Sequence, residues 1–330
     1  MRHADTMLRR YRALGADLPW ADLRRGHDVA MEGHFWRFSD PASGRVVLAL
    51  CGVSRDHEGS WGNLALAAHP GGFLRAADVP HARADPAALG VVARGVGGSF
   101  AADARRVELD LGPGARLGVT LEDRWPRQPA MLGGSGAAHL VPGLGQYWHP
   151  HLLGARVSGH AVLGEDTIDL TGWRAYAEKN WSPGGGFPPH WWWGQAQGFD
   201  DPGVCVAFAG GVVTVGPARL EATALVLGLD GRVVRLGNPL LAPAAVSADG
   251  ERWAVRVRGP RWSAELEGGA PSSAAHVLPV PLPAERRSVP LAHEHLAARL
   301  ALTVRRRGRV VYAGESAVAG LEVGPPPPAS

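Results

Sequence analysis

Short alternations of apolar and polar residues dominate the chain from about Val29 onward. Runs such as Glu32–Phe38, Val46–Val53 and Arg106–Leu111 show the two-residue period of half-buried β-strands. Turn sequences such as Asp230-Gly231 separate the runs, as in antiparallel hairpins. The pattern predicts roughly 16 to 20 strands, more than the eight or so of one small barrel. We therefore predict an all-β fold of two tandem antiparallel β-barrels.

The predicted organisation has four parts. Residues 1–26 form an N-terminal helical segment, because apolar residues recur there at helical spacing between arginines until Gly26. The first barrel covers residues 27–165 and the second covers residues 166–324. The proline-rich residues 325–330 form a disordered tail.

Composition and charge narrow the class of protein. The 330 residues are 45% hydrophobic with a net charge of +3, which is typical of a globular protein. The densest basic run, Arg305–Arg309, lacks interleaved aromatics, so we expect no nucleic-acid partner. No signal peptide is evident, and the longest mostly apolar run, Val204–Val215, is too short to span a bilayer. A cytoplasmic location is expected, with transient membrane-surface contact through the arginine-rich start left open.

Two His-x-His pairs raise the question of a metal site. His149 and His151, like His293 and His295, would face one way on a strand, but neither pair has a clear third ligand nearby. We therefore predict no metal. His149 is instead expected in the polar wall of a ligand cavity.

The most unusual stretch contains the sole lysine of the chain, Lys179, among 34 basic residues. If residues 176–181 are extended, Tyr176, Glu178 and Asn180 share one face, whereas Lys179 and Trp181 share the other. An ammonium is more compact than a guanidinium and its pKa shifts more readily on burial, which favours a specific role for this lysine.

Three consecutive tryptophans follow, and they cannot all enter one core. An extended strand places Trp191, Trp193, Gln195 and Gln197 on one face, which is aromatic with amide tips. Such a wall suits a cavity for a large apolar molecule that carries one or two oxygens. Alternatively, the tryptophans fill the seam between the two barrels, as bulky aromatics often do.

These motifs resemble the tocopherol cyclase family. The similarity is carried by Tyr176-Ala-Glu-Lys-Asn-Trp181, Phe187-Pro188, Trp191-Trp-Trp-Gly-Gln195, the opening strand Met31–Trp36, the approach Gln146–Pro150 and the last hairpin Gly308–Val323. It covers most of residues 29–324. It implies a tandem lipocalin-like fold related to carotenoid hydratases. It also implies closure of a chromanol ring on a prenylated hydroquinone, without a metal or redox cofactor.

The residue types suit acid-catalysed chemistry on such a substrate. An alkene must be protonated to a tertiary cation, which a phenol oxygen then traps, and a carboxylic acid in an apolar pocket stays protonated because burial raises its pKa. Glu178 is the first candidate, Glu32 the second and Asp200 the third. Lys179, Asn180 or Tyr176 would bind the quinol oxygens. The expected substrate-binding residues are Trp36, Tyr147, His149, Trp181, Trp191, Trp193, Gln195 and Gln197.

Three alternatives stay open at this point. Water instead of the phenol would make the protein a hydratase of a carotenoid or terpenoid alkene. A barrel without chemistry would be a lipid or quinone carrier. In the third alternative, Glu178 and Lys179 belong to structural ion pairs near a barrel mouth.

Overall fold

The computed structural model describes residues 2–127, 132–215, 218–237 and 242–325, with backbone alone at residues 2–5, 213–215 and 218. One α-helix, α1 (Arg2–Ala13), precedes strands arranged in two antiparallel sheets. The sequence predicted an all-β fold of two tandem antiparallel β-barrels with a short N-terminal helix, and this fold class is confirmed. Among the described residues, no helix is both long and apolar enough to cross a membrane.

Within the described part of the chain, the first sheet has 13 strands. They are β1 (Met31–Asp40), β2 (Arg45–Asp56), β3 (Gly59–His69), β4 (Phe73–Val79), β5 (His81–Ala84), β6 (Gly90–Gly95), β7 (Gly98–Asp103), β8 (Arg106–Asp110), β9 (Ala115–Trp125), β10 (Tyr147–Leu152), β11 (Gly154–Leu163), β12 (Asp166–Asp169) and β13 (Arg174–Ser182). A 3-10 helix spans Gly136–Leu140.

The described residues form 10 strands in the second sheet. They are β14 (Trp191–Ala196), β15 (Cys205–Val215), β16 (Ala218–Leu229), β17 (Arg232–Leu236), β18 (Ala244–Ala248), β19 (Arg252–Arg258), β20 (Trp262–Gly269), β21 (His276–Leu282), β22 (Arg287–Arg306) and β23 (Arg309–Val323). Further 3-10 helices span Ser272–Ala274 and Pro283–Glu285.

Each sheet curls around its own apolar core. In the first, alternate residues of β1 such as Trp36 and Phe38 point inward and pack with residues of the far strands. In the second, Trp192 and Ala196 of β14 point inward and join a separate core. The intervening residues of both strands point outward, where the two sheets meet. Arg37 of β1 lies in this seam and donates a hydrogen bond to Gln195 of β14 at 2.9 Å.

The division between the sheets lies elsewhere than the sequence suggested. We expected a boundary near residue 165, but β13 pairs with β1 in the centre of the first sheet, so that sheet extends to Ser182. The pairing joins residues about 140 positions apart, which local periodicity cannot reveal. The second sheet begins at Trp191.

The N-terminal helix is shorter than the predicted segment 1–26. It ends at Ala13, and Gly15 follows with a φ of +86°, a conformation that stops a helix at little cost only for glycine. A Cβ at Gly15 would also lie 2.1 Å from the ring of Tyr147, so the chain must pass close to the first sheet there. Residues 326–330 of the predicted proline-rich tail lie outside the described residues.

Candidate active site

A largely apolar cavity of about 670 Å³ lies in the seam between the two sheets. Its volume falls within the range of ordinary small-molecule sites. Strand β13 contributes Glu178 and Asn180, and β14 contributes Trp191 and Trp193. Trp191 and Trp193 therefore combine the two roles that the sequence suggested, because they lie in the seam and also line a cavity.

Glu178 is the carboxyl best placed for chemistry in this cavity. Its Oε2 accepts three hydrogen bonds, from Trp148 Nε1 at 2.8 Å, Trp193 Nε1 at 2.8 Å and Tyr176 Oη at 2.5 Å. Oε1 accepts no hydrogen bond from the described residues, and the side chain lines the cavity. Burial raises the pKa of Glu178 above its usual value, although the three donors counteract this effect. A proton on this group would therefore sit on Oε1.

Two amides lie beside the carboxyl on the same wall. Asn180 follows Glu178 by two positions on the same strand face, at a spacing of about 7 Å. The side-chain amide of Gln146 donates to Asn180 Oδ1 at 3.4 Å, and both residues line the cavity. Gly33 leaves room for this pair, because a Cβ there would lie 2.8 Å from Asn180 Oδ1.

Lys179 points away from the cavity, as the alternation along β13 predicts. Its Nζ is fully buried and lies 2.7 Å from Glu32 Oε2, 2.6 Å from the carbonyl oxygen of Arg25 and 2.9 Å from His27 Nδ1. The expected contact of Lys179 with quinol oxygens is therefore not what the structure shows. The ammonium instead joins the N-terminal segment to β1 and β13.

Glu32 belongs to the same buried ion pair and does not line the cavity. Its carboxylate also contacts Arg55 at 2.8 Å. Burial raises the pKa of Glu32, but the opposite charges of Lys179 and Arg55 outweigh it and hold the pKa far below its usual value. An ionised carboxylate cannot donate a proton, so Glu32 is ill suited to be the acid. Asp200, the third candidate, is exposed and likewise lies outside the cavity wall.

The expected substrate-binding residues divide into two groups. Tyr147, Trp191 and Trp193 line the cavity. Each of the others has a different environment. Trp36 packs inside the first sheet, Trp181 stacks on His27, His149 lies beside His139 and His151, Gln195 accepts a hydrogen bond from Arg37, and Gln197 donates one to Ser39. Their positions depend on the sheet pairing and on the N-terminal segment.

Buried histidines gather inside the first sheet. We call His34, His139 and His151 the barrel histidines. Burial lowers the pKa of each to about 3, so they are neutral at ordinary pH. Within the described part of the chain, no three potential ligands are grouped so as to hold a metal ion.

The sequence of the C-terminal half of the chain is similar to a known protein family. Residues 147–325 match the tocopherol cyclase-like family, and this segment is more than half of the chain. The chain belongs to this family. No curated protein gives a significant sequence match.

The fold of this tocopherol cyclase-like protein is shared with solved tandem-barrel structures. Kievitone hydratase from Nectria haematococca superposes with a TM-score of 0.55 at 8% identity, and 92% of each chain is covered. CghA in complex with Sch210972 superposes with a TM-score of 0.58 at 14% identity over 89% of each chain. CghA alone gives a TM-score of 0.60 at 14% identity over 91% of this chain and 90% of that one. At such identities the likeness shows the fold alone.

Two buried or cavity-lining glutamates of this tocopherol cyclase-like protein were not predicted from the sequence. Glu322 of β23 lines the cavity, and its Oε1 accepts a hydrogen bond from Trp191 Nε1 at 2.5 Å. Glu294 of β22 lies directly opposite Glu322 and is fully buried. Glu294 stands between two histidines in a motif that we considered only for metals. An acidic residue within a mostly apolar strand was the signal available in the sequence.

Proposed function

We propose that the protein protonates the prenyl double bond of a hydrophobic prenylated phenol or quinol and closes a chromanol-type ring, with Glu178 as the acid. One observation carries the proposal: a buried carboxyl that lines an apolar cavity has its Oε2 held by three donors, while its Oε1 accepts no hydrogen bond from the described residues. Family membership supports the reaction class.

The surroundings of Glu178 suit both halves of a proton transfer. Before transfer, burial favours the protonated form of the acid, because a charged carboxylate is poorly solvated there. During transfer, negative charge develops on the carboxyl, and the N–H and O–H groups of Trp148, Trp193 and Tyr176 are already directed at Oε2. Preorganised donors of this kind stabilise the developing charge without reorganisation.

The cavity wall also suits the carbocation that follows. Trp191 and Trp193 present indole rings to the hollow, and an indole face attracts a cation by about 0.5 to 2 kcal/mol. A mainly apolar lining limits the access of water, which would otherwise capture the cation. The Asn180 and Gln146 amides would orient the phenol oxygen for ring closure. Orientation alone supplies several kcal/mol to such intramolecular steps.

The test is incubation with a hydroquinone that bears a trisubstituted prenyl chain, in deuterated water. A cyclic ether that carries deuterium on the former alkene carbon supports the proposal. A deuterated tertiary alcohol would assign the protein to hydration instead. Bound but unchanged quinol would make it a carrier.

Glu178→Gln is the decisive variant. It keeps the size and the hydrogen-bonding capacity of the side chain but removes the acidic proton, so turnover should fall by about 100-fold or more while binding persists. Glu122→Gln is the matched control, because Glu122 is an exposed glutamate of the first sheet. Undiminished cyclisation by Glu178→Gln would remove Glu178 from the acid role.

A further inference from the structure

The cavity-facing side of β14 holds two carboxyls, not one. Trp193 donates its indole N–H to Glu178, and Trp191 donates its own to Glu322 Oε1 at 2.5 Å. Alternate residues of a strand lie about 7 Å apart on the same face. Two acidic groups are therefore held at separate points of one apolar wall, one from each sheet.

Glu322 has a fully buried partner in Glu294. The two residues are register partners on β23 and β22, and neither oxygen of Glu294 accepts a hydrogen bond from a described donor. The charged groups that face the pair from other strands are Arg37 of β1 and Glu178 of β13. Arg37 donates hydrogen bonds to Gln195 and to two backbone carbonyls, and among the described residues no salt bridge joins it to either glutamate.

The two carboxyls of the pair differ in their affinity for a proton. Burial and the charge of Glu322 raise the pKa of Glu294 well above its usual value, so Glu294 stays protonated. Burial and the charge of Glu178 raise the pKa of Glu322 to about 7, while the Trp191 N–H and the Glu294 proton act in the opposite direction. The pair thus holds one proton and accepts a second near neutrality.

We propose that Glu322, held by Glu294 and Trp191, accepts the proton of the phenol hydroxyl during ring closure. This inference rests on the proposed function. The Glu178 proton ends on the alkene carbon. A bond forms between the phenol oxygen and the cationic carbon, the O–H bond breaks, and its proton passes to Glu322. Substrate and product have the same composition, and the enzyme resets when Glu322 releases a proton to solvent and Glu178 regains one.

The first test separates the acid from the base by the choice of substrate. Glu322→Gln should lower turnover of an ordinary prenylated hydroquinone by about 100- to 10,000-fold, the usual range for loss of a general base. A prenylated nitrophenol, already ionised at the assay pH, needs no base and should restore turnover of Glu322→Gln to within about tenfold of wild type. Glu178→Gln should stay inactive on both substrates. Equal losses of Glu322→Gln on the two substrates, or no loss at all, would overturn the inference.

Glu294 is a positioning residue, and its variants test that role through pH. Wild-type turnover should fall below about pH 7 as Glu322 becomes protonated. Glu294→Leu removes the donor to Glu322, so this acidic limb should move to higher pH, whereas Glu294→Gln keeps a donor and should restore it. Glu315→Gln, at an exposed position on β23, the strand that carries Glu322, is the control for both. An acidic limb that stays unchanged in Glu294→Leu would contradict the role.

A binding measurement keeps the inference testable without turnover. Unreactive analogues with a saturated chain are compared as the free phenol and as its methyl ether, by quenching of tryptophan fluorescence. Wild type should prefer the phenol by about tenfold, since a hydrogen bond to a carboxylate is stronger than a neutral one, and Glu322→Gln should lose most of this preference. If wild type shows the preference but no turnover, the proposed function fails and the phenol contact stands. A preference that Glu322→Gln leaves intact overturns the contact itself.

Discussion

Replacing Lys179 with methionine tests whether the sole lysine supports the scaffold. The Lys179 Nζ is fully buried and has three partners, among them the Glu32 carboxylate at 2.7 Å. Removing one member of a buried ion pair costs about 3 to 5 kcal/mol of unfolding free energy. Arg55 still compensates Glu32 at 2.8 Å in this variant, so we expect the lower end, about 3 kcal/mol.

The reverse replacement should cost more. Glu32→Gln leaves the ammonium of Lys179 without its carboxylate, and burial already lowers the pKa of this lysine. The cost is bounded, because Lys179 can release its proton instead. From an ordinary pKa of 10.5, neutralisation at pH 7 costs about 5 kcal/mol at roughly 1.4 kcal/mol per unit. We therefore expect a loss between that of Lys179→Met and about 5 kcal/mol, and the double variant should lose less than the sum.

Urea unfolding followed by tryptophan fluorescence measures these free energies. Affinity for a saturated quinol, measured where each variant is fully folded, should match wild type because Lys179 does not line the cavity. Lys179→Arg should also destabilise, since a wider guanidinium does not match three acceptors that converge on one point. Refutation would be a Lys179→Met protein that unfolds within 1 kcal/mol of wild type yet fails to turn over substrate.

Three further predictions concern the acid, the core of the second sheet and pH. Tyr176→Phe removes the hydroxyl that donates to Glu178 at 2.5 Å, so the pKa of Glu178 rises and the group becomes a weaker acid. Turnover should drop about tenfold, and the basic limb of the pH–rate profile should move to higher pH; an unchanged basic limb would contradict this role of Tyr176. Gly194→Val places a Cβ 2.4 Å from the Phe208 ring and should cost at least 1 to 3 kcal/mol in thermal unfolding, whereas Gly118→Val, which meets open space, should not. The barrel histidines bind protons below about pH 6.5 in the unfolded chain but only near pH 3 in the folded chain. The free energy of unfolding therefore decreases as the pH falls from 6.5 to 3, by up to about 1.4 kcal/mol per histidine and pH unit. The raised pKa values of Glu178, Glu294 and Glu322 oppose this loss above about pH 4.5, so urea midpoints should fall steeply only below that pH. Constant midpoints down to about pH 3.5 would refute the assignment.

The faces of single strands followed from the sequence alone. Side chains alternate along any extended segment, so the positions of Glu178 and Asn180 on one side of β13 and of Lys179 on the other needed no tertiary information. The same rule placed Trp191 and Trp193 together on the cavity wall. Family resemblance then connected those residues to a reaction class. These inferences depend on local backbone geometry or on the identity of a motif, and both can be read from residues that are close together in the sequence.

What lies opposite each face was decided by the tertiary structure. Strand β13 joins the first sheet because it pairs with β1, and this pairing moved the boundary from residue 165 to the residues after Ser182. Lys179 contacts residues 25–32, and Trp191 donates a hydrogen bond to Glu322 some 130 positions away. The hydrophobic period of one strand does not identify its partner strand, since strand partners are selected by the packing of whole sheets. The seam between the sheets, and with it the cavity and its second carboxyl, exists only once both sheets have folded and docked.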